Sequence, residues 1–195
     1  MGYHIHYSFE FGLRPDSPPE ADRVFEALAR GRTPDDKDLE AFDPDVRTYF
    51  HGPAYLSFHE PQAGSQVFIY SPTRASHLAS EGCPSRFVRF DVDMTDDGYA
   101  NGGYKLVYWL FDLVGHNGLF CLKRTDLSTI EHYYREFDDL LIVKFKVPEA
   151  LNPMAMMCPL PMRKHPSWTP ARAEDFVLSD FLRIGPEERR EVLAM

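Results

Sequence analysis

Tyr3-His4-Ile5-His6-Tyr7-Ser8-Phe9-Glu10-Phe11 alternates strictly between apolar and polar residues. Successive side chains on a strand point to opposite faces. Tyr3, Ile5, Tyr7, Phe9 and Phe11 therefore share one face, and His4, His6, Ser8 and Glu10 share the other. This is a half-buried β-strand with a core on one side only. Arg86 to Met94 repeats the pattern, with Val88, Phe90 and Val92 inward and Arg89, Asp91 and Asp93 outward. Further strands are expected at 54–59, 66–70, 119–123 and 140–147.

Helices are read from their caps. Ser17-Pro18-Pro19-Glu20 combines a capping box with proline at the first helical position. It opens a helix that carries Val24, Phe25 and Leu28 on one face and stops at Gly31. Thr33-Pro34-Asp35-Asp36 opens a short second helix through Leu39, Phe42 and Val46, and Ser71-Pro72 opens another ending near Gly82. Tyr104 to Val114 is apolar almost all round, which predicts a buried central helix with Leu106, Leu110, Phe111 and Val114 in the core. Ser128-Thr129-Ile130-Glu131 is a second capping box and predicts a helix to Asp138. Thr169-Pro170 predicts a helix carrying Phe176, Val177 and Phe181, and Gly185-Pro186 a short C-terminal one. Thr95 to Gly103, rich in Asp, Asn and Gly, reads as a turn.

Strands joined partly by turns and partly by helices imply an α+β fold. The expected sheet is mixed or mainly antiparallel, of roughly five to six strands packed with about four to six helices. The 195 residues suit a single domain over 1–195. Within it, six prolines between 148 and 170, with Met154, Met156, Met157 and Met162 among them, mark an irregular arm. A helical segment is expected over 171–195.

The formal net charge is −9. Such a surface repels nucleic acid and anionic membranes and favours a basic partner. The acidity is uneven: residues 1–60 hold twelve Asp/Glu against six Lys/Arg, and residues 91–139 hold ten against four. Cys83, Cys121 and Cys158 are odd in number and contain no CxxC, so a disulfide framework is not expected and a reducing cytoplasm is. The N-terminus shows no basic and apolar leader pattern, and the apolar run Leu106 to Phe111 is too short to span a bilayer.

GxSxG, GxxxxGK[ST], HExxH and GxGxxG are all absent. His4 and His6 point the same way about 7 Å apart on a strand, but no third ligand is evident, and no metal is expected. Asp93 to Tyr104 mimics a calcium loop only in part, because Tyr104 stands where the bidentate glutamate belongs. Cys83 follows a helix C-terminus, whose dipole disfavours a thiolate.

Three short pieces, with no fixed spacing between them, resemble the NAD-dependent ADP-ribosyltransferases. They are YHIH at 3–6, AYLS at 54–57 or IYSP at 69–72, and Glu131 or Glu136. The resemblance implies a ribose-binding His4 or His6, an aromatic–Ser/Thr strand, a catalytic Glu131 or Glu136, and NAD as cofactor. The leading expectation is different: an acidic cytoplasmic inhibitor, of immunity-protein or anti-defence type, that needs no cofactor. It would neutralise a basic partner, such as a nuclease or a nucleic-acid-binding effector, without touching nucleic acid or membrane itself. The binding face expected for it comprises Asp91, Asp93, Asp96, Asp97, Asp138 and Asp139.

Overall fold

In the computed structural model, which describes residues 4–51, 56–57, 86–125, 129–146 and 177–195, the opening strand lies inside an antiparallel sheet. The strands are β1 (His4–Gly12), β2 (Leu56–Ser57), β3 (Phe87–Thr95), β4 (Gly118–Thr125), β5 (Thr129–Glu136), β6 (Asp139–Lys146) and β7 (Val177–Ile184). Their spatial order is β2-β3-β1-β4-β5-β6-β7, and every pair is antiparallel. With the helices below, this is an α+β fold.

The register follows from the alternation. Phe9 stands opposite Phe90 on one side and Cys121 on the other. That pairing puts Tyr7, Phe9, Phe11, Val88, Phe90 and Val92 on one face, all fully buried. A slip of one residue would turn every one of them outward. Helix α1 (Pro19–Ala29) covers this face with Val24, Phe25 and Leu28, and the Phe25 ring lies 5.8 Å from that of Phe90. Helix α5 (Lys105–Phe111) packs beside it with Leu106, Leu110 and Phe111 buried. Val114 is buried just beyond the helix end, bridged to Leu13.

Several local readings are corrected. The capping box at 128–131 opens no helix, because Thr129–Glu136 is strand β5, paired along its length with β4 and β6. Its β-branched and aromatic residues suit a pleated surface flanked on both sides. Phe137 (φ 56°) makes the turn into β6. Val177 and Phe181 likewise belong to strand β7 and not to a helix, while α6 (Pro186–Ala194) begins at Pro186 as read.

Residues 96–103 are helical and not a loose turn. Thr95 caps a one-turn helix, α4 (Asp96–Gly98), which runs into a wide turn at Tyr99–Gly103 that relaxes at Gly102 (φ 109°). The helix expected through Leu39, Phe42 and Val46 is two pieces, α2 (Asp36–Leu39) and α3 (Pro44–Arg47), because Asp43 restarts it by capping the Asp45 N–H at 2.9 Å. The strand at 66–70, the helix at 71–82, Cys83, Cys158 and the 148–170 arm lie outside the described residues, as does the first half of AYLS. No helix among the described residues is long and apolar enough to cross a membrane.

Candidate functional site

The polar faces of β1 and β3 bring His6, Asp91 and Asp93 together. His6 stands opposite Asp93 in register, and its Nδ1 lies 2.6 Å from Asp93 Oδ1. Its Nε2 is 3.7 Å from Asp91 Oδ1. The hydrogen bond from His6 holds the Asp93 carboxyl below the usual carboxylate range. His4 is exposed at the strand end, opposite Thr95. Among the described residues no group of three or more His, Cys, Asp or Glu side chains is placed to hold a metal ion.

On the core face a row of side chains crosses four strands. Tyr7 stands opposite Lys123, Lys123 opposite Glu131, and Glu131 opposite Lys144. Lys123 Nζ is 3.3 Å from Glu131 Oε2 and 3.2 Å from the Tyr99 hydroxyl, and it sits 4.4 Å above the Tyr99 ring. The Tyr133 hydroxyl donates to the same carboxylate at 2.5 Å, and burial pushes its pKa well up. Glu131 is thus held by a buried ammonium and a buried phenol, a satisfied charge network of the kind that specifies a core.

The row also separates the candidates of the ADP-ribosyltransferase resemblance. Glu131 shares its face with Tyr7, whereas His6, the residue before Tyr7, points to the opposite face. Glu136 ends β5, six residues beyond Ile130, which lies in the same cross-strand row as His6 and Arg124. That is about 20 Å along the strand. Glu136 pairs there with Arg183. His4, His6, Glu131 and Glu136 do not converge on one site.

The expected acidic face also divides. Asp91 is a correction: it is 2% exposed, set between Ser8 on β1 and Ser57 on β2, and cannot meet a partner. Asp138 and Asp139 lie at the other end of the sheet from Asp96 and Asp97. There Arg135 approaches Asp138 at 3.7 Å and Arg183 holds Asp139 at 3.2 Å. Asp93, Asp96 and Asp97 remain together at the end of β3 and on α4.

They are joined by carboxylates that the sequence reading does not single out. Residues 35–47 carry Asp35, Asp36, Asp38, Glu40, Asp43 and Asp45 against Lys37 and Arg47. Helix α3 packs on the 99–103 turn, so a Cβ on Gly102 would lie 3.2 Å from that of Asp45. The Tyr49 hydroxyl, just after α3, donates to Gly98 O at 3.0 Å. Asp43 and Asp45, at α3, therefore lie beside the segment that follows Asp96 and Asp97. Asp38 is taken by Arg23 and Asp45 by Lys105. Asp35, Asp36, Glu40, Asp43, Asp96 and Asp97 have no ion-pair partner among the described residues. Arg47 spends its guanidinium on the carbonyls of Glu40 and Phe42 instead. The local charge count was visible in the sequence, but its neighbourhood with Asp96 and Asp97 was not.

At the end of the sheet where β1 leads into Arg14 lies an open cleft of about 320 Å³, walled by Arg14, Asp16, Ala41, Trp109, Asp112 and Leu113. The Trp109 ring is fixed from behind by Phe42, 4.4 Å away. Arg14 is chelated by Asp16 through two N–H···O bonds of 2.9 and 2.8 Å. Asp112 is 3.5 Å from Arg189 and largely exposed.

Compared with known proteins, the chain matches no family model, no curated protein and no solved structure.

Proposed function

We propose that the protein works by laying its acidic surface on a basic protein partner, as an inhibitor or immunity-type binding protein. One observation carries the reading: Asp35, Asp36, Glu40, Asp43, Asp96 and Asp97, on or beside α2, α3 and α4, are held in no side-chain ion pair among the described residues. Crowding like charges opposes folding through self-repulsion. A complementary partner relieves that repulsion and is drawn in by it, so the benefit falls on association rate and specificity. A partner that itself binds nucleic acid carries the basic face required. ADP-ribosyl transfer has less support, since His6 and Glu131 face opposite sides of the sheet.

The experiment is capture from a lysate of the native host, with the wild type beside Asp36→Lys/Asp97→Lys. The expected result is a basic protein held by the wild type, lost from the variant, and inhibited in its own activity by the wild type. Retention of only neutral or acidic proteins, or equal retention by both forms, contradicts the reading.

A further inference from the structure

The Trp109 cleft takes in Ala41, the sequence neighbour of Glu40. Its wall includes the Trp109 indole, which packs against Phe42 and Phe50 at ring-centroid distances of 4.4 and 6.2 Å. An indole face is the strongest aromatic acceptor for a guanidinium or ammonium group. Two carboxylates stand at the cleft. Asp16 is occupied by Arg14, which neutralises the cation of the wall itself. Asp112 is 59% exposed, and its partner Arg189 reaches it only at 3.5 Å while donating to Asp138 O. Asp112 therefore keeps acceptor capacity toward solvent. An aromatic ring and a carboxylate lining one cleft suit a side chain that is flat or apolar along its stem and cationic at its tip.

We infer that the Trp109 cleft takes an arginine side chain of the basic partner, the guanidinium resting on Trp109 and hydrogen-bonded to Asp112. This rests on the docking reading above and deepens it, because it supplies the anchor that rim carboxylates do not: charges at a rim mainly set the on-rate, whereas a buried aromatic contact holds the complex. An arginine fits better than a lysine, since its planar fork stacks on the ring and still donates to the carboxylate.

The test needs no partner. In a Trp168→Phe background Trp109 is the only tryptophan, and its fluorescence is titrated with N-acetyl-arginine amide and with the neutral isostere N-acetyl-citrulline amide. The expected result is a saturable change with arginine at millimolar concentration, none with citrulline, and at least a fivefold weaker response in Asp112→Asn, whose fold is checked by circular dichroism. No saturation, the same response to citrulline, or an unchanged response in Asp112→Asn overturns the inference. The two readings fail separately. A captured basic partner that binds Asp112→Asn and wild type equally leaves the docking surface standing and removes the cleft, and a saturable arginine response with no basic partner captured does the reverse.

Discussion

His6 and Glu131 lie on opposite faces of one sheet, two strands apart, although both belong to cross-strand rows that meet at β4: His6 opposite Arg124, Glu131 opposite Lys123. Each has become part of a different polar network. Neighbours in sequence alternate between faces, so a histidine at 6 and a tyrosine at 7 never share a site however close their backbones are.

The Lys123–Glu131 pair makes the core sensitive to single substitutions. Both side chains are nearly buried, at 8% and 12% exposure. Removing one partner leaves the other charge stranded, which costs about 3–5 kcal/mol. Glu131→Gln is therefore expected to lower the urea midpoint strongly, and Lys123→Met/Glu131→Leu to recover most of the loss. A single variant as stable as wild type would show that the pair is not the buried network described.

Leu110 is fully buried on α5. Leu110→Ala is expected to cost about 2–5 kcal/mol, the transfer and cavity cost of a core leucine, measured by chemical denaturation. A loss well below that range contradicts the packing of α5.

His116 gives the stability a pH dependence. Burial holds its pKa below the ordinary histidine value. The Gly12 N–H donates to its Nδ1 at 3.4 Å, a bond that requires this nitrogen to be bare. The folded state therefore binds fewer protons than the unfolded one. The stability contributed is full above the unfolded value of about 6.5 and is lost as pH falls below it, until the folded pKa is passed. Urea midpoints from pH 7.5 to pH 5 should fall more steeply for wild type than for His116→Gln. Parallel curves would exclude this role.

Much of the sheet was legible because its central strands carry a period of two without interruption, and β1, β3 and α5 stand where alternation and continuous apolar character put them. β5 was not. Ser128-Thr129-Ile130-Glu131 is a sound local cap, but Tyr133, Tyr134 and Ile130 gain more from partners on β4 and β6, which are distant in sequence for the cap signal. β7 failed in the same way, its short apolar run fitting either period. Alternation placed Asp91 on the polar face correctly, yet it says nothing of depth, and Asp91 is buried between β1 and β2. Asp45 and Asp96 are about fifty positions apart in sequence, and the packing of α3 on the 99–103 turn is what brings their segments together.

Self-repulsion within the acidic surface can be read without a partner. Asp36→Asn/Asp97→Asn is expected to melt at a higher temperature than wild type at low ionic strength, with the difference closing as salt is added, because screening already removes the repulsion. Calorimetry at the two salt concentrations measures it. A difference independent of salt, or of the opposite sign, would mean these carboxylates do not act as one field.

The most direct measurement is the association rate of the captured partner with wild type and with Asp36→Lys/Asp97→Lys, by stopped flow across ionic strength. The docking account predicts a wild-type on-rate that falls steeply with salt, and a variant at least tenfold slower at low salt that converges on the wild type at high salt. An on-rate indifferent both to salt and to the two charge reversals would contradict it.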